Sequence, residues 1–375
     1  MNFSDDFLMT CGDEPGFLNF LDKIERSAEW KNYPTNSLRV IAGEEEPEVY
    51  EKIKDTPEKE GIIKDTLANS GLFLCLDGAY YPMGMTTMKT IESRARISGS
   101  ALLDVSKGKL ARILNDCLDV TKGKALIRIH EGKIRAVHGG DPSDYSVLPM
   151  PELFEVVSIY VSENYDRAVF SSGMFSHSLV SASWELEEKE LLDTYRGLLL
   201  QYGLKADNVL SAQIRVQTSD VGVSGANIYY SLLLGTEKKP LVLGNPLKLE
   251  HTNNASIEDF SQNIGQVFAR YQEAIGDLSK LFHVYVSYPA NVMASVMIKA
   301  GISKALTVQT VEQFKASHGS GVCNGYEVYC GICESIFLAQ SNGMGAKALT
   351  DLEEMVSRCL TYRFHEYDIP GAILY

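Results

Sequence analysis

Apolar and polar positions along this chain repeat with two periods, and the switch between them outlines its elements. Residues 16–29, GFLNFLDKIERSAE, place Phe17, Phe20, Leu21 and Ile24 at helical spacing. NSLRVIAG predicts a short strand, and GLFLCLDGAYYPMG (71–84) predicts a strand pair about Asp77-Gly78, a common hairpin turn. Residues 107–118 read as a helix with Leu110, Ile113, Leu114 and Cys117 on one face. Beyond it, Ala125, Ile127 and Ile129 alternate with Leu126, Arg128 and His130, the period of a half-buried strand. Glu131-Gly132 supplies a turn, and Ile134, Ala136 and His138 then alternate with Arg135 and Val137. MPELFEVVSIYVSENY predicts a helix with Pro151 in its first turn, where proline is tolerated.

A second strand-rich block follows. RAVFSSGMFSHSLVSASWEL and NVLSAQIRVQTSDVG are strand-like, with the helical EEKELLDTYRGLLLQYG between them. ANIYYSLLLG and KPLVLGNPLKLEH close the block. From Ser256 the pattern turns helical: Ile257, Phe260, Ile264, Val267, Phe268, Tyr271, Ile275 and Leu278 recur at helical spacing, and Ser256 with Glu258 and Asp259 marks the helix start. Further helices are expected at about 289–300, 308–317, 324–340 and 346–364. The pattern predicts an α+β fold, with a mixed, mostly antiparallel β core, flanking helices and a helical C-terminal region. Residues 1–70 read as an acidic helical and linker region, 71–250 as the α+β core, and 251–375 as helices packed on it. Within the first of these, the charge-rich stretch 44–66 reads as a solvated linker or exposed helix.

Composition changes this picture little. The chain has 375 residues and a formal net charge of −14, with 45% hydrophobic and 22% charged residues. That excess of acid argues against a surface uniformly suited to nucleic acid, though not against a local basic patch. Seven scattered cysteines suggest reduced thiols in a cytoplasm rather than a disulfide framework. The acidic start, MNFSDDFLMTCGDEPG, does not read as a secretory signal, and no stretch approaches the 18 apolar residues of a membrane span.

Catalytic signatures are absent. There is no G-x-x-x-x-G-K-[ST] loop, no G-x-G-x-x-G after a strand, no G-x-S-x-G elbow and no H-E-x-x-H; HEYD at 365–368 lacks the second histidine. His318, Cys323, Cys330 and Cys333 form H-x4-C-x6-C-x2-C, the one weak metal candidate. Cys330 and Cys333 also lie one turn apart on an apolar helix, where thiols pack as small hydrophobes, and that reading is preferred. No cofactor is expected. His251 ends a strand before a helix start and is expected to bond nearby backbone rather than act as a base.

One compositional anomaly remains. Between Met85 and Gly140 there are 11 Lys and Arg against 5 Asp and Glu, a local excess of 11 − 5 = +6 in a −14 chain. Clustered cations are the footprint of phosphate contact, so Lys107, Lys109, Arg112, Lys124, Arg128, Lys133 and Arg135, with Tyr145 for stacking, are the candidate nucleic-acid-binding residues. The competing expectation is a set of exposed side chains balanced in space by the acidic N-terminus.

GKALIRIHEGKIRAVHGGDPSDYSVLPMPELFE, VLSAQIRVQTSDVGVSGANIYYSLLLG and LKLEHTNNASIEDFSQNIGQVFARYQEAIGDLSKL together resemble segments of the phage- and plasmid-like proteins of domain-of-unknown-function family nine hundred thirty-two. The resemblance covers roughly residues 120–285. It implies a phage, prophage or plasmid context, carries over no catalytic residue, and places Arg128, Arg135, Tyr145, Ser219, Asp220, Gly222 and His251 in a shared framework. The expected function is non-enzymatic nucleic-acid binding, possibly of single-stranded DNA in recombination or replication, by a cytoplasmic homo-oligomer. The alternative is a phage module that binds and inhibits a host defence or nucleic-acid-handling protein.

Overall fold

Two short turns build the first hairpins. Asp77 and Gly78 take φ of 49° and 82°, and Glu131 and Gly132 take 48° and 75°. Two consecutive positive φ values match the right-handed twist of the flanking strands. In the computed structural model, which describes residues 3–204, 209–319 and 321–375, the turns join β4 (Leu72–Leu76) to β5 (Ala79–Pro82), and β6 (Lys124–His130) to β7 (Lys133–Gly139). β3 (Arg39–Ala42) completes one three-stranded sheet, β3-β4-β5, and β2 (Ala28–Pro34) completes another, β2-β6-β7. Helices α2 (Lys59–Ala68), α3 (Met85–Arg94) and α4 (Lys107–Val120) belong to this smaller unit. Leu110, Leu114 and Leu118 of α4 pack on Ala125, Ile127 and Ile129 of β6 and on Leu72, Leu74 and Leu76 of β4.

The larger unit is built on a seven-stranded antiparallel sheet. Its order is β1 (Leu8–Cys11), β8 (Ala168–Ser176), β9 (Val180–Leu186), β10 (Val209–Thr218), β11 (Ala226–Leu234) and β12 (Lys239–Val242), with β13 (Leu247–Leu249) also on β11. The residue at 208, taken from the sequence as the start of β10, lies outside the described residues. Trp184, Leu186, Ile214, Val216 and Ile228 share one core with α1 (Glu14–Arg26), α5 (Met150–Asn164) and α6 (Lys189–Gln201). The Trp184 indole N–H donates to Glu14 at 3.0 Å. A short β14 (Tyr285–Val286) and β15 (Cys323–Asn324) pair separately.

The C-terminal region is helical: α7 (Ile257–Ile264), α8 (Val267–Leu281), α9 (Pro289–Ala300), α10 (Lys304–His318), α11 (Gly325–Ser341) and α12 (Ala346–Cys359). Ser256 caps α7 through a reciprocal capping box with Asp259. The apolar repeat from Ile257 to Leu278 is two helices, separated at Gly265 and Gln266. The chain is therefore α+β, with antiparallel sheets and a helical C-terminal region.

The expected boundary at residue 70 is corrected. Residues 1–70 are not a separate acidic region, because β1 pairs with β8, α1 enters the larger core, and β2 pairs with β6. Helical periodicity outweighed the two short polar strands on either side of α1, so the sequence reading passed over both.

Candidate functional site

The β6–β7 hairpin carries the basic residues that sequence singled out, and the structure turns them inward. Arg128 is 1% exposed, Lys133 0% and Arg135 2%. The expectation that they sit on the surface is corrected: they are the interior cations of a network joining the two units. The reason lies in layering. One face of β6 packs on α4, and the alternate face, where polar residues signalled solvent, meets the larger unit.

Arg128 is gripped from two directions. Its guanidinium donates to both Glu25 carboxylate oxygens on α1, at 3.1 and 2.9 Å, and lies 3.0 Å from Asp220 in the β10–β11 loop. Trp30 of β2 covers it at 5.1 Å, a cation–π contact. Such pairing is the condition for burying a charge. The ladder register slips between Arg128 and Ile129, so Arg135 stands opposite no residue of β6. This bulge aims Arg135 at the same carboxylate that Lys133 reaches.

That carboxylate comes from Asp5. Its Oδ1 accepts from Lys133 Nζ at 2.9 Å and Arg135 Nη1 at 2.8 Å, and its Oδ2 accepts from the Met85 amide at 3.0 Å. Met85 is the first residue of α3, whose N-cap is Gly84 and which has no side-chain cap from its own segment. Asp5 thus caps a helix eighty residues away, where the helix dipole favours an anion. Gly84 makes room for it: a Cβ there would lie 3.0 Å from both Asp5 Oδ1 and Arg135 Nη1. The Phe3 carbonyl accepts from Arg135 at 2.6 Å, and Asp65 of α2 bonds Lys133, the Asp5 amide and the Ser4 hydroxyl.

Tyr145 is also buried, at the centre of a stack of rings. Its ring is parallel to His138 at 3.8 Å between centroids and nearly parallel to His251 at 5.2 Å. His251 Nδ1 donates to the Ser146 carbonyl at 3.1 Å, since a carbonyl only accepts. In the neutral ring Nε2 then accepts from the Thr218 hydroxyl at 3.3 Å. Burial pushes the His138 ring down to about 3, with His251 adding to the effect, and pushes the Tyr145 hydroxyl well up. These groups are neutral packing partners, and Tyr145 offers no exposed ring for a base.

The remaining candidates stay apart from this network. Lys109, Arg112 and Lys124 are exposed, and Lys107 is half-buried. Arg112 approaches Glu45 at 3.8 Å with both side chains largely in solvent, a pairing worth little. Because α4 and Arg128 lie on opposite faces of β6, the helix cations and the hairpin arginines do not form the shared surface expected from sequence.

A different constellation lies on the smaller unit. Lys52, Lys54, Lys59, Tyr80, Tyr81 and Phe3 line a cavity of about 780 Å³, with Glu58 and Glu131 also on its wall. Lys52 Nζ lies 5.3 Å from the centre of the Tyr80 ring. The lysines belong to the stretch read as a bland linker, and a lysine run followed by a Tyr-Tyr edge strand was the available signal. Ile53 bridges to Tyr80, which fixes the lysine-bearing loop against β5.

The cysteine cluster does not assemble. Among the described residues no three His, Cys, Asp or Glu side chains are placed to hold a metal ion. Cys330 and Cys333 pack within α11, where burial pushes the Cys330 thiol up to about 12 and Cys333 higher still. A protonated, buried thiol is a poor nucleophile. In the native protein, the buried Cys333 and Cys359 are expected to resist alkylation by iodoacetamide while Cys11, Cys75 and Cys117 react. Mass mapping of the labelled peptides checks this, and rapid labelling of Cys333 or a stoichiometric zinc would contradict it.

Among the described residues, no helix is long and apolar enough to cross a membrane. The chain matches no family model, no curated protein and no solved structure. The resemblance to family nine hundred thirty-two gains no support from these comparisons.

Proposed function

We propose that the chain binds single-stranded nucleic acid, without catalysing a reaction on it, in the cavity between the 52–59 loop and β5. The observation that carries this reading is the lining: three lysines beside two tyrosines and a phenylalanine, with Lys52 over the Tyr80 ring. Lysines follow a phosphate backbone, and aromatic faces stack bases of any sequence. The mobile-element context rests on the sequence resemblance alone. Seven unpaired cysteines support a cytoplasmic setting, and self-association would align cavities from several copies.

Binding of labelled single- and double-stranded DNA over a range of salt tests the reading. Changing Lys52, Lys54 and Lys59 together to alanine removes up to three phosphate contacts, so the log–log salt slope for single strands is expected to fall by about 2. Tyr80→Ala is expected to weaken binding by about 1–3 kcal/mol with the slope unchanged. Undetectable binding by the unmodified protein at low salt would end this reading.

A second reading then takes its place, a module that docks on a host protein. One observation favours it: among the described residues the fully buried Asp, Glu, Lys and Arg side chains are all cations, namely Arg128, Lys133 and Arg135. The acid excess is therefore displayed rather than hidden, and an acidic face suits a basic nucleic-acid site on a partner.

A further inference from the structure

We infer that Lys133, Arg135 and the Met85 amide form a phosphate-binding site that Asp5 occupies in cis, and that residues 3–7 are a plug which a phosphate group displaces. The site is complete without Asp5. Two cations, each at most 2% exposed, converge on one carboxylate oxygen, while the first amide of a ten-residue helix takes the other. Gly84 leaves the space over them that a Cβ would fill. Cation, guanidinium and helix N-terminus converging on one anionic group are the chemistry that recognises phosphate.

The charges around the site define what the plug does. Asp65 bonds Lys133, and Asp220 acts on Arg135 through its charge. Without Asp5, Lys133 keeps Asp65 and Arg135 keeps the charge of Asp220, while the donors that Asp5 now serves, Lys133 Nζ, Arg135 Nη1 and the Met85 amide, each lose that acceptor. A phosphate offers three oxygens to donors that Asp5 serves with two. The plug itself is irregular, held to α2 through the Asp5 amide and Ser4 hydroxyl on Asp65. Its Phe3 ring also lines the lysine–tyrosine cavity, so a ligand there touches the plug directly. The phosphate site is defined by its own donors and does not depend on what fills that cavity.

Inorganic phosphate is the probe. Asp5→Asn keeps the shape of the side chain and removes its charge, and Asp5→Ala removes its bulk. Each is expected to bind phosphate in isothermal titration, and to gain about 3 °C in Tm at a free phosphate concentration a hundred times Kd, relative to chloride at equal ionic strength. In the unmodified protein, phosphate is expected to speed amide hydrogen exchange across residues 3–10. A single-stranded oligonucleotide run in parallel separates the sources: exchange that responds to phosphate alone identifies a free-anion site, and exchange that responds to both identifies a backbone phosphate. Asp5 variants that bind phosphate no better than the unmodified protein would overturn the inference. Should those variants fail to fold, the exchange measurement on the unmodified protein decides, and unchanged exchange at saturating phosphate rejects the plug. Loss of oligonucleotide binding with phosphate binding intact would strike the proposed function alone.

Discussion

Asp220→Ala is expected to destabilise the protein by about 3–5 kcal/mol, the cost of breaking a buried ion pair from one side. The Arg128 guanidinium is 1% exposed and has two carboxylate partners, Glu25 and Asp220. Glu25 is 29% exposed and within reach of water, whereas Asp220 is 14% exposed and enclosed. Burial pushes the Asp220 carboxyl up, and the Arg128 charge pulls against it. Removing the enclosed partner leaves a buried cation half-compensated. The double change Arg128→Met with Asp220→Leu removes both charges at similar volume and is expected to recover most of the loss. Urea unfolding of the three proteins measures both effects. An Asp220→Ala midpoint within error of the unmodified protein would mean that water reaches Arg128, and the network would lose its structural role.

Acid is expected to cost about 5 kcal/mol of stability between pH 7 and pH 4.5, through two histidines. Burial, followed by the Arg135 and Arg128 charges, pushes His130 down to about 3; burial and then His251 push His138 down to about 3. In the unfolded chain both titrate near 6.5. Below that value the unfolded state binds more protons than the folded state, so stability falls as pH falls, by about 1.4 kcal/mol per unit for each ring. The loss ends only when the folded rings also protonate, near 3. Glu353, whose carboxyl burial pushes up, works in the opposite direction above the ordinary carboxylate range, where the folded carboxyl takes up a proton before the unfolded one does. Unfolding midpoints between pH 7 and 4.5 for the unmodified protein and for His138→Phe separate these contributions. The variant is expected to lose stability about half as steeply, and a flat profile in the unmodified protein would refute the assignment.

Local grammar was readable where local chemistry decides. Asp77-Gly78 and Glu131-Gly132 turned where expected because both turns need positive φ, and Ser256 started a helix because a serine hydroxyl satisfies an otherwise unpartnered amide. The hairpin was misjudged because alternation reports two different faces and cannot say what covers the polar one. Arg128 and Glu25 are 103 residues apart, and Arg135 and Asp5 are 130 apart. No window on the sequence contains both members of either pair, so the acidic N-terminus is legible as a counterweight but not which acid meets which cation. The short strand β1, LMTC, offered four residues against a strong helical signal close behind it. The split of α7 from α8 was hidden because the apolar spacing continues across it.

The placement of β1 also sets a timetable for synthesis. Leu8–Cys11 pairs with Gly173 to Ser176, and Asp5 meets its cations on the β7 strand. With the ribosome adding roughly 5–20 residues each second, the first strand waits on the order of 8–30 s for its partner. For that interval it is an unpaired edge on the nascent chain, open to other strands. Low temperature or rare codons between β1 and β8 lengthen the exposure, and a chaperone that shields β1 shortens it. Yield in a heterologous host should therefore respond to translation speed between β1 and β8 more than to translation speed beyond β8.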